Sequence, residues 1–307
     1  MSEIFNAELL AATIRMTAPL LLVALGGLMC QRAEIFNVGL EGCMLSGAFF
    51  TILFIYLTGS SLVGLLGGIL GSVVLSMVFA LFVIKFHANH ILTSLAINYT
   101  ATGLTSFLLL PLYGVRGGFR PDNMESLLKL DIPLIKDIPF LGEVLSGHTI
   151  TVYLAVILIF VTYFVLFKTP FGLQVRAVGI NENAVRTAGV KPERIQFLVI
   201  LWAGVLCGIA GAHLSAGYAS EFTENITSGR GFTAFSAIVF GGAHPVYSSM
   251  ACLLFGFADA IGIRLELSGF GISADLIKTF PYILAVIAIA VSSFVRIKRR
   301  VSTKELF

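Results

Sequence analysis

The run Asn37-Val38-Gly39-Leu40-Glu41-Gly42 sets an amide and a carboxyl four residues apart. On a helix those two side chains share a face. A carboxylate at the centre of a membrane helix costs on the order of 2.5–3.5 kcal/mol on insertion scales, so an acid placed there serves a function or a paired structure. Two chemistries fit Glu41: a polar gating contact on a transport pathway, or a lock onto a neighbouring helix or subunit. Ser94, Asn98, Thr102 and Thr105 make a second polar set, spaced 4, 4 and 3. They too fall on one helical face, either lining a water-filled path or bonding to a neighbouring helix. Asp259 is a further acid in an apolar run, and Arg264 lies five residues on, off its helical face.

Other chemistries find no footing. There is no GxxxxGK[ST] phosphate loop, no HExxH, no GxSxG and no Cys/His metal spacing. The five histidines are scattered, and the four cysteines sit in or beside apolar runs with no CxxC pair, as small packing residues do. No catalytic residue and no metal ligand is assigned.

The basic segment Gly172-Leu-Gln-Val-Arg-Ala-Val-Gly179-Ile-Asn-Glu-Asn-Ala-Val-Arg-Thr-Ala-Gly189-Val carries a different signature. Asn181 is an N-cap residue, and Glu182 in the first turn suits the helix dipole. Ala184, Val185 and Ala188 form a small apolar face. Gly189 supplies a left-handed cap, and Pro192 prevents continuation. A helix of one to two turns is unstable alone in water, so it needs a surface to lie on and reads as a docking element.

The elements that must position these groups are membrane helices. Of 307 residues, 57% are hydrophobic and 12% charged, and the net charge is +3. A soluble domain carries roughly 25% charge. So little polar surface cannot coat an apolar core of this size, and so small a net charge gives no nucleic-acid footprint. The apolar residues fall in long runs, which excludes the period-2 alternation of a membrane barrel. The expected fold is all-α and polytopic, with nine spans: 9–29, 37–58, 61–84, 91–111, 148–167, 195–217, 231–244, 247–266 and 277–295. A missed segment would make ten. The seventh is short and is followed by Gly241-Gly242 and Pro245, which predicts a broken or re-entrant helix surrounded by protein.

Lys and Arg set the orientation. Lys168, Arg176, Arg186, Lys191 and Arg194 crowd the gap 168–194, and Arg296, Lys298, Arg299, Arg300 and Lys304 the tail. Both segments are expected in the cytoplasm, with Arg32 and Lys85, which puts the N-terminus outside and the C-terminus inside. Segment 111–147, with Pro111, Pro121, Pro133 and Pro139, is then a long external loop, either a docking surface or a lid. Residues 1–307 are read as one transmembrane domain containing this loop and the cytoplasmic coupling loop 168–194. Small-residue faces at Gly64, Gly67, Gly68 and Gly71, and at Gly204, Gly208 and Gly211, predict close helix packing.

Three runs carry a family resemblance: Ala18-Pro19-Leu20-Leu21…Ala24-Leu25-Gly26-Gly27…Asn37-Val38-Gly39-Leu40-Glu41-Gly42, Arg176-Ala-Val-Gly179…Asn183-Ala184…Ala188-Gly189-Val190, and Phe232-Thr-Ala-Phe235-Ser-Ala-Ile-Val-Phe-Gly241-Gly242. The chain resembles the branched-chain amino acid/ribose/nucleoside-type ABC transporter permeases over about residues 15–295. Within them it is most similar to the smaller permease of basic-membrane-protein-dependent nucleoside importers. The resemblance implies a multi-pass protein of the cell (plasma or inner) membrane, paired with a second permease subunit. It implies a cytoplasmic ABC ATPase that binds ATP and Mg, so no cofactor in this chain. An external lipoprotein or periplasmic protein would deliver a nucleoside. Coupling to the ATPase falls to Asn181, Glu182, Asn183, Ala184, Arg186, Ala188 and Gly189, and the pathway or gate to Asn37, Glu41, Asn98, Phe232 and Phe235. A sugar or a branched-chain amino acid is the alternative cargo. An ion-coupled secondary transporter using Glu41, Asp259 and the polar stripe is the alternative of another class.

Overall fold

The computed structural model describes residues 7–122, 124–131 and 141–267. Seven helices among them are long and apolar enough to cross a membrane. They are α1 (Ala7–Arg32), α2 (Leu40–Thr58), α3 (Ser61–Lys85), α4 (His90–Tyr113), α6 (Ile150–Lys168), α9 (Pro192–Ala219) and α11 (Pro245–Leu267). Four shorter helices complete the set: α5 (Leu141–Leu145), α7 (Pro170–Ile180), α8 (Glu182–Thr187) and α10 (Arg230–Phe240). The expected span 277–295 and the basic tail lie outside the described residues.

Each end of the bundle is set by contacts among helix termini. The last turn of α1 lies against α7, where a methyl added to Gly179 would meet the Arg32 backbone. At the other end, Arg264 of α11 reaches Glu8 at the start of α1, 3.2 Å away. α1 runs through the centre, buried almost without break from Met16 to Cys30. α2 threads between α3, α4 and α9. The glycine faces let these helices close up: a methyl on Gly208 would stand 2.5 Å from the Ile69 Cα.

The segment expected to be a seventh span is part loop and part short helix, and is not among the seven long apolar helices. α9 climbs from the Arg32 end, and its last turns, His213–Ala219, widen to π geometry. The chain then returns without helix. Phe222–Thr223 (β4) pairs antiparallel with Gly118–Phe119 (β1), just beyond α4. Only from Arg230 does the return become helical, for 11 residues. Those span about 16 Å at 1.5 Å per residue, about half of a ~30 Å hydrocarbon core. Non-helical backbone at such depth needs protein around it, and Phe222 and Thr227 are both fully buried. Phe222 packs edge-on against Phe49, halfway up α2.

Two further differences from the sequence reading concern the loops. The segment 168–194 holds two helices rather than one. Thr169 caps α7 by accepting the Gly172 N–H, and Pro170 occupies its first position, a pair of start signals present in the sequence. In 111–147 the described residues include α5 and the strand Lys129–Leu130 (β2), which pairs antiparallel with His148–Thr149 (β3) just beyond the segment.

Candidate functional site

Glu41 sits in the first turn of α2 and is buried. Its carboxylate leaves its own helix and closes on the start of α10. Thr227 Oγ1 donates to Oε1 at 2.5 Å, the Gly229 N–H to the same oxygen at 2.8 Å, and the Gly231 N–H to Oε2 at 2.5 Å. The first N–H groups of a helix have no partner within it, and its N-terminus carries partial positive charge. A broken helix inside a membrane therefore presents an anion site, and Glu41 fills it from a neighbouring element. The local sequence permits this approach. Gly229 takes φ +81° to turn the chain into α10, and a methyl at Gly231 would stand 2.5 Å from the Glu41 Cα.

The other end of α10 meets the opposite charge. Arg32, the last residue of α1, donates from Nε to the Ala243 carbonyl at 2.7 Å and from a terminal nitrogen to the Gly242 carbonyl at 3.1 Å. A cation here suits the negative end of the dipole. Burial, then the nearby Arg32 charge, lowers the His244 imidazole below its ordinary range. The short connection between α1 and α2 thus holds α10 at both ends, Arg32 below and Glu41 above.

The same connection is pinned from α4. Ser94 Oγ accepts the Val38 N–H at 3.1 Å, while Asn98 accepts the Gly42 N–H at 2.8 Å and donates to the Val38 carbonyl at 3.1 Å. Asn37 turns back to accept the Gly39 N–H at 3.0 Å. Each bond satisfies backbone left open where α2 begins. Thr102 and Thr105, the rest of the polar stripe, bond carbonyls of their own helix. Asn37, Glu41 and Asn98 are therefore neighbours around one helix start. Phe232 follows Gly231 on α10 and is exposed, and Phe235 is half-buried one turn on. Thr227, Gly229 and Gly231 carry no expectation from the sequence, and Arg32 was expected only as a charge that sets orientation. The signal available was Gly-Arg-Gly directly before an apolar helix.

α8 stands off the bundle at the Arg32 end. The Asn181 side chain accepts the Ala184 N–H at 3.1 Å, and Gly189 takes φ +83° as the helix ends. Val185 is buried beneath it, whereas Glu182, Asn183, Ala184, Arg186 and Ala188 are exposed. Arg186 bridges Glu193 at the start of α9 at 2.6 Å and Glu182 at 3.0 Å. Those two carboxylates, Glu193 foremost, hold the guanidinium above its ordinary pKa. Ile180, the last residue of α7 and next to α8, is 85% exposed.

Among the described residues no group of His, Cys, Asp and Glu could hold a metal ion. Comparison with known proteins gives these groups a context. A family described as "Branched-chain amino acid transport system / permease component" matches residues 9–295. The "Guanosine ABC transporter permease protein NupQ" of Bacillus subtilis is 35% identical over 290 residues, covering 91% of this chain and 89% of that protein. The "Putative glucose ABC transporter permease protein TsgC13" of Haloferax volcanii is 31% identical, covering 85% of this chain and 79% of that protein. Among solved structures, "An inward-facing conformation of a putative metal-chelate type ABC transporter" aligns with a TM-score of 0.51 at 16% identity, over 92% of this chain and 85% of that one. At that identity the likeness speaks for the fold alone.

Proposed function

The chain belongs to the branched-chain amino acid transport system / permease component family, and from that premise we propose that it forms half of the translocation pathway of an ATP-driven nucleoside importer. It is a multi-pass membrane subunit of an ABC importer, a transporter rather than an enzyme, and ATP is bound by the ATPase of the assembly. The observation that carries the nucleoside reading is the 35% identity to a guanosine permease across 91% of the chain. A glucose cargo is the second reading, favoured by the 31% identity to the archaeal relative.

In this reading the end of the bundle bearing Arg32, Lys85 and α7–α8 faces the cytoplasm, in keeping with the positive-inside bias. α8, capped by Asn181 and braced by Arg186, docks on the ATPase through Asn183, Ala184, Ala188 and the exposed Ile180. Closure of the ATPase on ATP pushes α8. Arg186 and Glu193 pass that displacement to α9, and α9 continues into the return that leads to α10. α10, held by Glu41 and Arg32, then acts as the gate element, and Asn37 and Asn98 hold the start of α2 against which it works. Phe232 and Phe235 offer faces on which a base can stack. A second permease subunit completes the pathway, and an external binding protein delivers the cargo. A ligand shifts such an equilibrium only through differential affinity for the two states, and here ATP on the partner supplies it.

The test is uptake of labelled guanosine and labelled glucose into proteoliposomes holding the complete assembly. ATP-dependent guanosine uptake that glucose does not compete supports the reading. Uptake of glucose alone overturns the cargo, and uptake by this chain without its ATPase overturns the machine.

A further inference from the structure

A groove of about 790 Å³ runs between the second half of α3 and the first turns of α9. Its walls are apolar: Val74, Met77, Val78 and Leu81 on α3 face Phe197 and Leu198 on α9. All six are between 38% and 52% exposed, so among the described residues nothing covers them. At its mouth stand Lys85 and Arg194, with Glu193 beside them. Glu193 is already engaged by Arg186 at 2.6 Å. Lys85 and Arg194 are exposed, and neither has an ion-pair partner among the described residues. α3 closes in a π-helical turn over Leu81–Lys85. The extra residue in that turn widens the helix where the groove opens.

We infer that this groove binds an anionic phospholipid, one acyl chain lying along Val74–Leu81 and the phosphate between Lys85 and Arg194. The dimensions fit. Val74 to Lys85 is eleven residues, or about 16 Å at 1.5 Å per residue. That is one leaflet of a ~30 Å hydrocarbon core. The charges select the headgroup. With Glu193 neutralised, two free cations sit at the polar end of an apolar slot, an arrangement that takes phosphate-bearing lipid heads at a membrane surface. A zwitterionic lipid carries its own cation against Lys85 and Arg194 and loses that attraction. The bound head also lies beside Glu193, the brace of α8, so occupancy stiffens the same junction. The groove is the same whichever cargo the protein carries.

The experiment is native mass spectrometry of the complete detergent-solubilised assembly, titrated with phosphatidylglycerol and, in parallel, with phosphatidylcholine. The wild type is expected to retain phosphatidylglycerol at least tenfold more strongly than phosphatidylcholine. Lys85→Gln/Arg194→Gln should abolish that preference, and Leu81→Trp should block the slot with both cations intact. These residues are on the surface, so an unchanged Tm checks folding. Equal retention of the two lipids, or a preference that survives both variants, overturns the proposal. So does a Leu198→Cys protein that a lipophilic maleimide cannot label in native membranes whatever their lipid, because a protein segment would then cover the groove.

Discussion

Removing the charge of Glu41 should loosen α10 before it does anything else. The carboxylate accepts three hydrogen bonds, from Thr227, Gly229 and Gly231. A hydrogen bond to a charged group contributes about 1.5–3 kcal/mol net, so three sum to roughly 4.5–9 kcal/mol before the cost of burying the carboxylate is set against them. Glu41→Ala leaves all three donors unpaired, and the expected loss is about 3–5 kcal/mol, the range for removing one partner of a buried charge pair. Glu41→Gln keeps the shape and one oxygen. Its amide group turns N–H toward N–H at the second position, and the loss is about 2–3 kcal/mol. The assay is thermal unfolding of the purified assembly, with transport measured on the same preparation. Tm should fall by several degrees for Glu41→Gln and further for Glu41→Ala. Thr227→Val combined with Glu41→Ala should cost less than the two separate losses together, because both remove the same Thr227–Glu41 bond. A Glu41→Gln protein that unfolds at the wild-type temperature yet transports nothing would refute the clamp. The carboxylate would then be acting on the cargo.

Gly231→Ala should cost about 1–3 kcal/mol by overpacking, since its methyl meets the Glu41 backbone, and thermal unfolding reads the loss directly. Asn98→Leu strands the Gly42 N–H and the Val38 carbonyl, at about 1–3 kcal/mol for each group left unpaired; a Tm within 1 °C of wild type would contradict that pinning role. Asn181→Ala removes the cap of α8 at about 1 kcal/mol, and hydrogen exchange should quicken over Glu182–Thr187 while the global Tm holds. Arg186→Glu breaks the brace to Glu193, and Gly189→Pro demands a negative φ where the chain has +83°. Both should insert normally but separate ATP hydrolysis from transport, and normal transport by both would remove the docking role from α8.

Much of the fold was legible because lipid imposes a simple rule. A segment that crosses must be apolar for about 20 residues, so α1, α2, α3, α4, α6, α9 and α11 all stand where apolar runs stand. α8 was legible too, since Asn181 and Gly189 are local signals that act within one turn. α7 is harder to read from the sequence, although Thr169-Pro170 marks its start. A short, weakly amphipathic helix directly after a span has little periodic contrast with it.

The candidate site was legible only in outline. Glu41 stood out because a carboxylate in an apolar run is costly, yet two readings of it stayed open. Its three donors lie 186 to 190 residues away, and no local pattern connects them. The polar stripe on α4 was equally visible and equally ambiguous. Ser94 and Asn98 turn out to bond the backbone at the start of α2, which spacing within α4 could not reveal.

By itself the sequence determined the solvent, seven of the spans, the resemblance to a permease family and the caps of α8, because each follows from residue type and short-range spacing. The tertiary structure decided that the return from α9 is part loop and part short helix, and which charges hold that helix. A half-helix carries unpaired N–H groups at one end and unpaired carbonyls at the other. Which side chains reach them depends on how α1 and α2 fold against α10, and that is a property of packing between distant elements.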